Sequence, residues 1–191
     1  MALPDLLMIS IAVPGMWAAT YWLLKYTLTS HAATMTRLVA AAISLGPVGW
    51  DEAHLVWGIV GLAFLLGYLS FEPVLLYTAY TCPVGKLDNG TPRKQKQELT
   101  GLGARLWAAH ANANEAFPGF LGGVACCAVL NVPYTTIAPL CLIFITARVS
   151  FHVCYAAGIE LPRTFSFLVG YGSAALLYIR AVIPTAVPWL K

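Results

Sequence analysis

The chain has 191 residues, of which 59% are hydrophobic and only 10% carry a charge, with a mean hydropathy of +0.74. Apolar runs along the whole length leave no room for a soluble domain, so the composition predicts an integral, multi-pass membrane protein. The formal net charge of +3 is small and scattered, which argues against a nucleic-acid partner. The five cysteines have no metal-binding spacing, and we expect no metal site.

Two apolar segments open the chain. Residues Leu6–Leu28 are long enough for a membrane helix. A cleaved signal peptide is the alternative, but Asp5 stands where a basic region would be and the apolar run is too long. Within Ser30–His54 the run MTRLVAAAISLG is apolar but short, and a turn with two acids ends it. This favours an interfacial or re-entrant helix, and leaves open whether residues 31–50 cross the membrane.

The next apolar segment, Leu55–Tyr80, is a predicted span that contains Glu72 near its end. This acid either pairs with an arginine elsewhere in the bundle or lies in water beyond the helix. The polar segment Thr81–Leu102 follows and is rich in lysine and arginine, which places it on the cytoplasmic or equivalent inner side. A glycosylation sequon at Asn89 would require the opposite side, but a three-residue match is the weaker indication.

Three further spans complete the chain: Arg105–Leu130, Tyr134–Ala157 and Arg163–Ile183. Only a few residues connect each span to the next. Such short connections force consecutive helices to be antiparallel neighbours, so the sequence predicts that they pack as a bundle.

The segment RLWAAHANANEAFPGFL, from Arg105 to Leu121, brings polar residues into a membrane helix. At 100° per residue, Arg105, Asn112 and Glu115 fall within roughly 80° of one another on one face, and His110 points away. Ionisable groups within a bilayer segment usually mark function. The alternative is a polar seam that holds helices together by hydrogen bonds.

The later spans contain matching charges. Glu115 and Arg148 have opposite charges on adjacent antiparallel helices, so we expect them to lie within salt-bridge or one-water distance. Tyr155 follows Arg148 on the same face, and Arg163 opens the last helix. Two readings remain open here: an ion pair that fixes helix register, or a polar pocket for a zwitterionic or anionic ligand.

Two motifs resemble those of the MAPEG family, the membrane-associated proteins of eicosanoid and glutathione metabolism. The first is HANANEAFP, which begins at His110, and the second is ARVSFHVCYAAGIELPRTFSF, which begins at Ala147. The resemblance covers roughly Leu55–Ile183. It implies an all-α membrane protein, with a four-helix transmembrane domain over residues 55–191. Residues 1–54 would be an N-terminal extension with one additional transmembrane helix and an interfacial segment.

The resemblance also implies a function and a site. Family members are typically trimers that bind glutathione, as co-substrate, between subunits near the cytosolic face. Arg163 would stabilise the thiolate of glutathione, and Thr164 could donate a hydrogen bond to it. The acceptor would be a lipophilic electrophile or hydroperoxide from the bilayer. By position, the glutathione-binding residues would be Arg105, Asn112, Glu115, Arg148 and Tyr155.

The chain departs from the eicosanoid-forming members at several positions. Ala108 stands in place of an arginine, for which only Arg105 could substitute, and Phe151 and Phe167 replace a histidine and a tyrosine. These changes argue against prostaglandin or leukotriene synthesis.

Two hypotheses remain: a glutathione-dependent transferase or peroxidase acting on lipophilic substrates, or a non-catalytic structural subunit of a larger membrane complex. Expected partners are membrane lipids, glutathione, and either two further copies or other membrane subunits, in the endoplasmic reticulum or an organellar (mitochondrial or plastid) membrane.

Overall fold

The structure is a computed structural model that describes residues 3–81 and 98–190, with side chains from residue 14 onward. Within these ranges the chain is helical and contains no strand, which confirms the predicted all-α class. Residues 82–97, which include Asn89 and the basic charges of the predicted inner-side loop, lie outside the described residues. The helices are α1 (Leu3–Ser30), α2 (Ala32–Ser44), α3 (Glu52–Leu69), α4 (Glu72–Thr81), α5 (Gly101–Val129), α6 (Tyr134–Ala157) and α7 (Glu160–Val182).

Three segments of the described chain are long and apolar enough to cross a membrane. They are Glu52–Thr81, which combines α3 and α4, and the helices α6 and α7. The bounds of α6 are those predicted from the sequence, because Pro133 and Gly158 mark its two ends. Helix α5 is as long as these spans but contains the polar segment, and it is not among the three.

The predicted span after the extension is broken near its end. Asp51 caps α3, since its Oδ1 accepts a hydrogen bond from the backbone N–H of His54 at 2.9 Å. The helix ends at Leu69, and α4 begins at Glu72 after a two-residue turn. Glu72 is exposed and forms no salt bridge with any described residue. Glu72 therefore has no arginine partner within residues 3–81 and 98–190, and its contact with water stays a prediction.

Helices α3, α5, α6 and α7 form the bundle core. The rings of Phe120 on α5 and Phe144 on α6 stack with centroids 3.9 Å apart and planes 4° apart. One turn further along α5, Gly123 lies against α7, where an added Cβ would be 3.0 Å from Leu177 Cβ and 3.3 Å from the Ala174 carbonyl oxygen. Small residues at such contacts let membrane helices approach closely, which is how α5 comes to lie against α7.

A tight turn joins α6 to α7. Gly158 ends α6 with a φ of +74°, and the N–H groups of Gly158 and Ile159 donate to the carbonyls of Tyr155 and Cys154, at 3.1 and 2.9 Å. This glycine-terminated pattern reverses the chain within two residues. It sets the last turns of α6 beside the first turns of α7, and so brings Tyr155 close to Arg163.

The N-terminal segment packs along the outside of the bundle. α1 lies against α7 at Gly172, where an added Cβ would approach Thr20 and Leu24 to 2.8 and 3.0 Å. α2 packs against α6 and buries Met35 and Val39. With 13 residues, α2 is about 20 Å long, which is shorter than the ~30 Å hydrocarbon core. Both predicted helices are present, and the membrane crossing by α1 stays a prediction.

Candidate functional site

A cleft of about 360 Å³ lies between the first half of α5, the last turns of α6 and the first turns of α7. Its size falls within the range of small-molecule sites. Five of the seven residues predicted for the glutathione site line it. The lining residues are Ala108, Ala111, Asn112, Glu115, Phe151, Tyr155, Arg163, Thr164 and Phe167.

Helix α5 forms one wall of the cleft. Asn112 and Glu115 are three residues apart and therefore lie on the same face, one turn from each other. Ala108 and Ala111 stand on the same wall, and their small side chains leave the space that the cleft occupies. The helical periodicity already placed Ala108 on the face of Asn112 and Glu115, where it stands for a lost arginine, but Ala111 was given no role. Ala111 lies four residues before Glu115, and this spacing was the signal that could have identified it as a lining residue.

Arg163 and Tyr155 form the opposite wall. The guanidinium carbon of Arg163 lies 4.7 Å from the centroid of the Tyr155 ring, within the range of a cation–π contact. Both side chains are half-buried, so the cation is held in place by the ring and still accessible from the cleft. Arg163 thus presents a cation to the cleft, and its contact with a ligand stays a prediction.

Thr164 lines the cleft beside Arg163, but its hydroxyl is engaged. Its Oγ1 donates a hydrogen bond to the carbonyl oxygen of Glu160 at 3.1 Å, one turn back along α7. Threonine in a helix commonly bonds to its own backbone in this way. In this rotamer Thr164 presents a lone pair to the cleft, so donation to a thiolate would require the hydroxyl to leave Glu160.

Arg148 is buried behind the cleft and does not line it. The side chain is 2% exposed, and its Nη1 donates to Asn112 Oδ1 at 2.9 Å. Its guanidinium carbon lies 4.9 Å from the ring centroid of Phe151 and 5.2 Å from that of Tyr171. The absence of a side chain at Gly170 makes room for it, because an added Cβ there would be 3.0 Å from Arg148 Nε. Arg148 therefore can influence a ligand in the cleft through the side chain of Asn112, which it holds by a hydrogen bond.

The expected salt bridge between Glu115 and Arg148 is not formed. Among the described residues the one salt bridge joins His54 and Asp51, and Glu115 is exposed on the cleft wall. The guanidinium lies opposite Asn112, one turn before Glu115 on α5. The direct pair is absent because the Arg148 guanidinium donates to the amide of Asn112 and not to the acid, and a contact through one water stays a prediction.

Arg105 caps the end of α6. Its Nε donates to the carbonyl oxygen of Ala156 at 3.3 Å, and its side chain passes beside Gly158. The last carbonyls of a helix have no intrahelical partner, and an arginine commonly satisfies one of them. Arg105 is not part of the cleft lining, so its role as a substitute for the missing arginine at Ala108 stays a prediction.

His110 faces away from the cleft, as the helical geometry predicted. Its Nδ1 lies 3.1 Å from both the carbonyl oxygen of Gly67 and the hydroxyl of Ser70, where α3 ends. Asn114 contacts the same ring, with Nδ2 3.2 Å from Nε2. These contacts join α5 to the end of α3, and they separate the histidine of the first motif from the cleft.

Most of the chain matches one protein family. The model of the MAPEG family matches residues 55–183, more than half of the chain. No curated protein and no solved structure matches it. The match begins after the N-terminal 54 residues and includes every residue that lines the cleft. The chain therefore belongs to the MAPEG family, whose members act in eicosanoid and glutathione metabolism at membranes.

Proposed function

We propose that the cleft binds glutathione and that the protein is a glutathione-dependent transferase or peroxidase for lipophilic substrates. The observation that carries the proposal is the joint lining of one cleft by Glu115 and Arg163. Glutathione has an ammonium group, two carboxylates and a thiol. A cleft with a carboxylate on one wall and a guanidinium on the other offers a partner to both kinds of charge, and Asn112 between them offers an amide.

Arg163 is the residue best placed to activate the thiol. A nearby cation lowers the pKa of a thiol and raises the fraction present as thiolate, which is the nucleophile. In a transfer reaction, the thiolate forms a bond to an electrophilic carbon and the leaving group departs with its electron pair. In a peroxidase reaction, the thiolate forms an S–O bond to the terminal oxygen of the hydroperoxide, the O–O bond breaks, and the alkoxide takes up a proton. A second glutathione then attacks the sulfur of the resulting sulfenic acid, which gives the disulfide and releases water. The Tyr155 ring under Arg163 limits the positions that the guanidinium can adopt.

The second substrate would enter from the bilayer. Phe151 and Phe167 supply the apolar part of the cleft lining, and they belong to the two helices that qualify as membrane spans. An apolar electrophile dissolved in the bilayer could therefore reach the thiol without crossing water. This arrangement supports lipophilic acceptors over water-soluble ones.

The alternative is a non-catalytic subunit that has the family fold and a purely structural role in a larger membrane complex. Two observations favour it. The hydroxyl of Thr164 is used within its own helix, and Phe151 and Phe167 line the cleft where eicosanoid-forming relatives have a histidine and a tyrosine. Without these polar groups, the cleft has fewer side chains that could transfer a proton or form a hydrogen bond to a substrate.

Conjugation of a generic aromatic electrophile by detergent-purified protein separates the two. If the proposal holds, wild-type protein consumes the electrophile only with glutathione. Loss of an electrostatic stabiliser commonly costs about 100-fold or more in rate, so Arg163→Ala should lower turnover by that factor. Arg163→Lys should keep a fraction of it.

Arg37→Ala is the matched control, because Arg37 is an exposed arginine on α2, outside the family match. Its turnover should equal that of the wild type. A wild-type protein that neither binds glutathione at millimolar concentration nor consumes the electrophile would decide for the structural subunit.

A further inference from the structure

A second opening lies on the other side of α7 from the cleft. It is a groove of about 320 Å³ between α2, α6 and α7, with an almost entirely apolar lining. On α7 the cleft is lined by Arg163, Thr164 and Phe167, whereas the groove is lined by Phe165, Ser166 and Val169. At 100° per residue these two sets point in nearly opposite directions. The groove is therefore a separate site, and it does not depend on the proposed function of the cleft.

The N-terminal segment supplies one wall of the groove. Met35 and Leu38 on α2 line it, and both lie outside the residues that the family model matches. Met35 is buried against the bundle, whereas Leu38 is 52% exposed at the rim. The groove is thus a feature that the extension adds to the four-helix domain.

The position of the groove identifies its surroundings. Its other two walls, α6 and α7, are both long and apolar enough to span the membrane, so its open side faces hydrocarbon. If the groove were empty, the residues that line it would lose van der Waals contacts on their open side. In the hydrocarbon region, the molecules that can fill it are lipid chains.

The polarity of the lining residues changes along the groove. Ser150 and Ser166 place hydroxyl groups near the end that adjoins the α6–α7 turn, and Ser166 is about 9 Å along the axis from the start of α7. Thr146 lies about 6 Å further along α6 from Ser150 and adds a third hydroxyl, and Leu142, about 12 Å from Ser150, contributes only apolar surface. This order matches a lipid tail, which is polar at its ester and apolar beyond it.

We propose that the groove between α2, α6 and α7 binds one acyl chain of a membrane phospholipid, with the ester-linked end of the chain at Ser150 and Ser166. The N-terminal segment then serves as the cover that turns an exposed helix face into a lipid site.

Photo-crosslinking in vesicles tests this assignment. The protein is reconstituted in phosphatidylcholine vesicles that contain a trace of phosphatidylcholine with a diazirine on one acyl chain. After irradiation, labelled residues are mapped by mass spectrometry. Wild-type protein should be labelled preferentially at groove residues of α2 and α6, above the level at lipid-exposed Val153. Equal labelling of Val153 and the groove would overturn the proposal.

Two substitutions sharpen the result. Thr146 is an exposed groove residue on α6, and Thr146→Trp should fill part of the groove and lower groove labelling by about tenfold. Val149→Trp, at an exposed position on the same helix outside the groove, should leave it unchanged. Leu38→Ala removes part of the rim without touching the core and should lower labelling to a lesser degree. Unchanged labelling in Thr146→Trp would contradict the assignment. So would a loss of groove labelling on addition of a lipophilic electrophile but not on addition of unlabelled phospholipid.

Discussion

Arg148, in the interior of the α5–α6–α7 bundle, and Arg163, in the cleft beside it, differ in the contacts that hold them. Arg148 is enclosed by aromatic rings, with a single hydrogen bond to Asn112. Its Nε and Nη2 have no hydrogen-bond partner within the described part of the chain. Arg163 is half-buried at the cleft surface with one ring beneath it. Both were predicted to contact the same ligand, but only Arg163 lines the cleft.

The difference shows how burial assigns roles to identical side chains. A cation at a surface of the cleft can exchange water for a ligand, so its charge is available for recognition. A cation sealed among aromatic rings can act on a ligand only through the group that it holds, which here is Asn112. We therefore expect changes at Arg148 to alter the stability of the bundle, and changes at Arg163 to alter function.

The largest expected effect on stability is that of Arg148→Ala. The substitution removes a buried side chain from between its rings and leaves Asn112 Oδ1 without its donor. Such losses typically cost about 3 kcal/mol in the free energy of unfolding. Denaturant titration in mixed micelles would measure it, with Arg163→Ala as the control. That control removes only a partly exposed cation–π contact and should cost about 0.5–1 kcal/mol. An unchanged or more stable Arg148→Ala protein would show that the buried charge is a net cost to the fold.

A smaller effect should follow from Gly170→Ala, which leaves Arg148 in place but takes away its space. The new Cβ would lie 3.0 Å from Arg148 Nε and 3.3 Å from Nη2, so the guanidinium must shift away from α7. We expect a net loss of about 1–2 kcal/mol in unfolding free energy. Gly119→Ala on α5 is the matched control, because no atom lies within 4 Å of its added Cβ. It should gain about 0.5 kcal/mol, and equal behaviour of the two variants would refute the close approach.

The smallest effect is expected at Arg105, the arginine that caps α6. Arg105→Ala removes the hydrogen bond to the Ala156 carbonyl and leaves the cleft lining intact. We expect a loss of about 0.5–1 kcal/mol in unfolding free energy, and turnover that falls far less than in Arg163→Ala. Equal losses of turnover in the two variants would return Arg105 to the ligand-binding role predicted from the sequence.

Much of the fold followed from the sequence because its signals are local. Pro133 and Gly158 mark the ends of α6, and the short connections made its antiparallel packing with α5 and α7 necessary. The grouping of Asn112, Glu115, Tyr155, Arg163 and Thr164 also followed, because the two motifs lie on consecutive antiparallel helices.

The partners of single side chains could not be predicted in the same way. Asn112 and Glu115 share one helical face, and the one that meets Arg148 depends on an axial offset that no residue pattern encodes. Thr164 bonds to Glu160 because a helical carbonyl is always within its reach, whatever the cleft requires. Such choices depend on distances of a few ångströms between helices or on one rotamer, and only the packed structure fixes them.

The most direct test of the account is a measurement of glutathione binding to the purified protein. Isothermal titration of the detergent-solubilised wild type should give saturable binding with a Kd in the millimolar range or below. Arg163→Ala should weaken it by about tenfold, the loss expected for one charge-assisted contact. Gly119→Ala should bind as the wild type does. No saturable binding to wild-type protein at millimolar glutathione, with the fold intact, would contradict the claim that this cleft is a glutathione site.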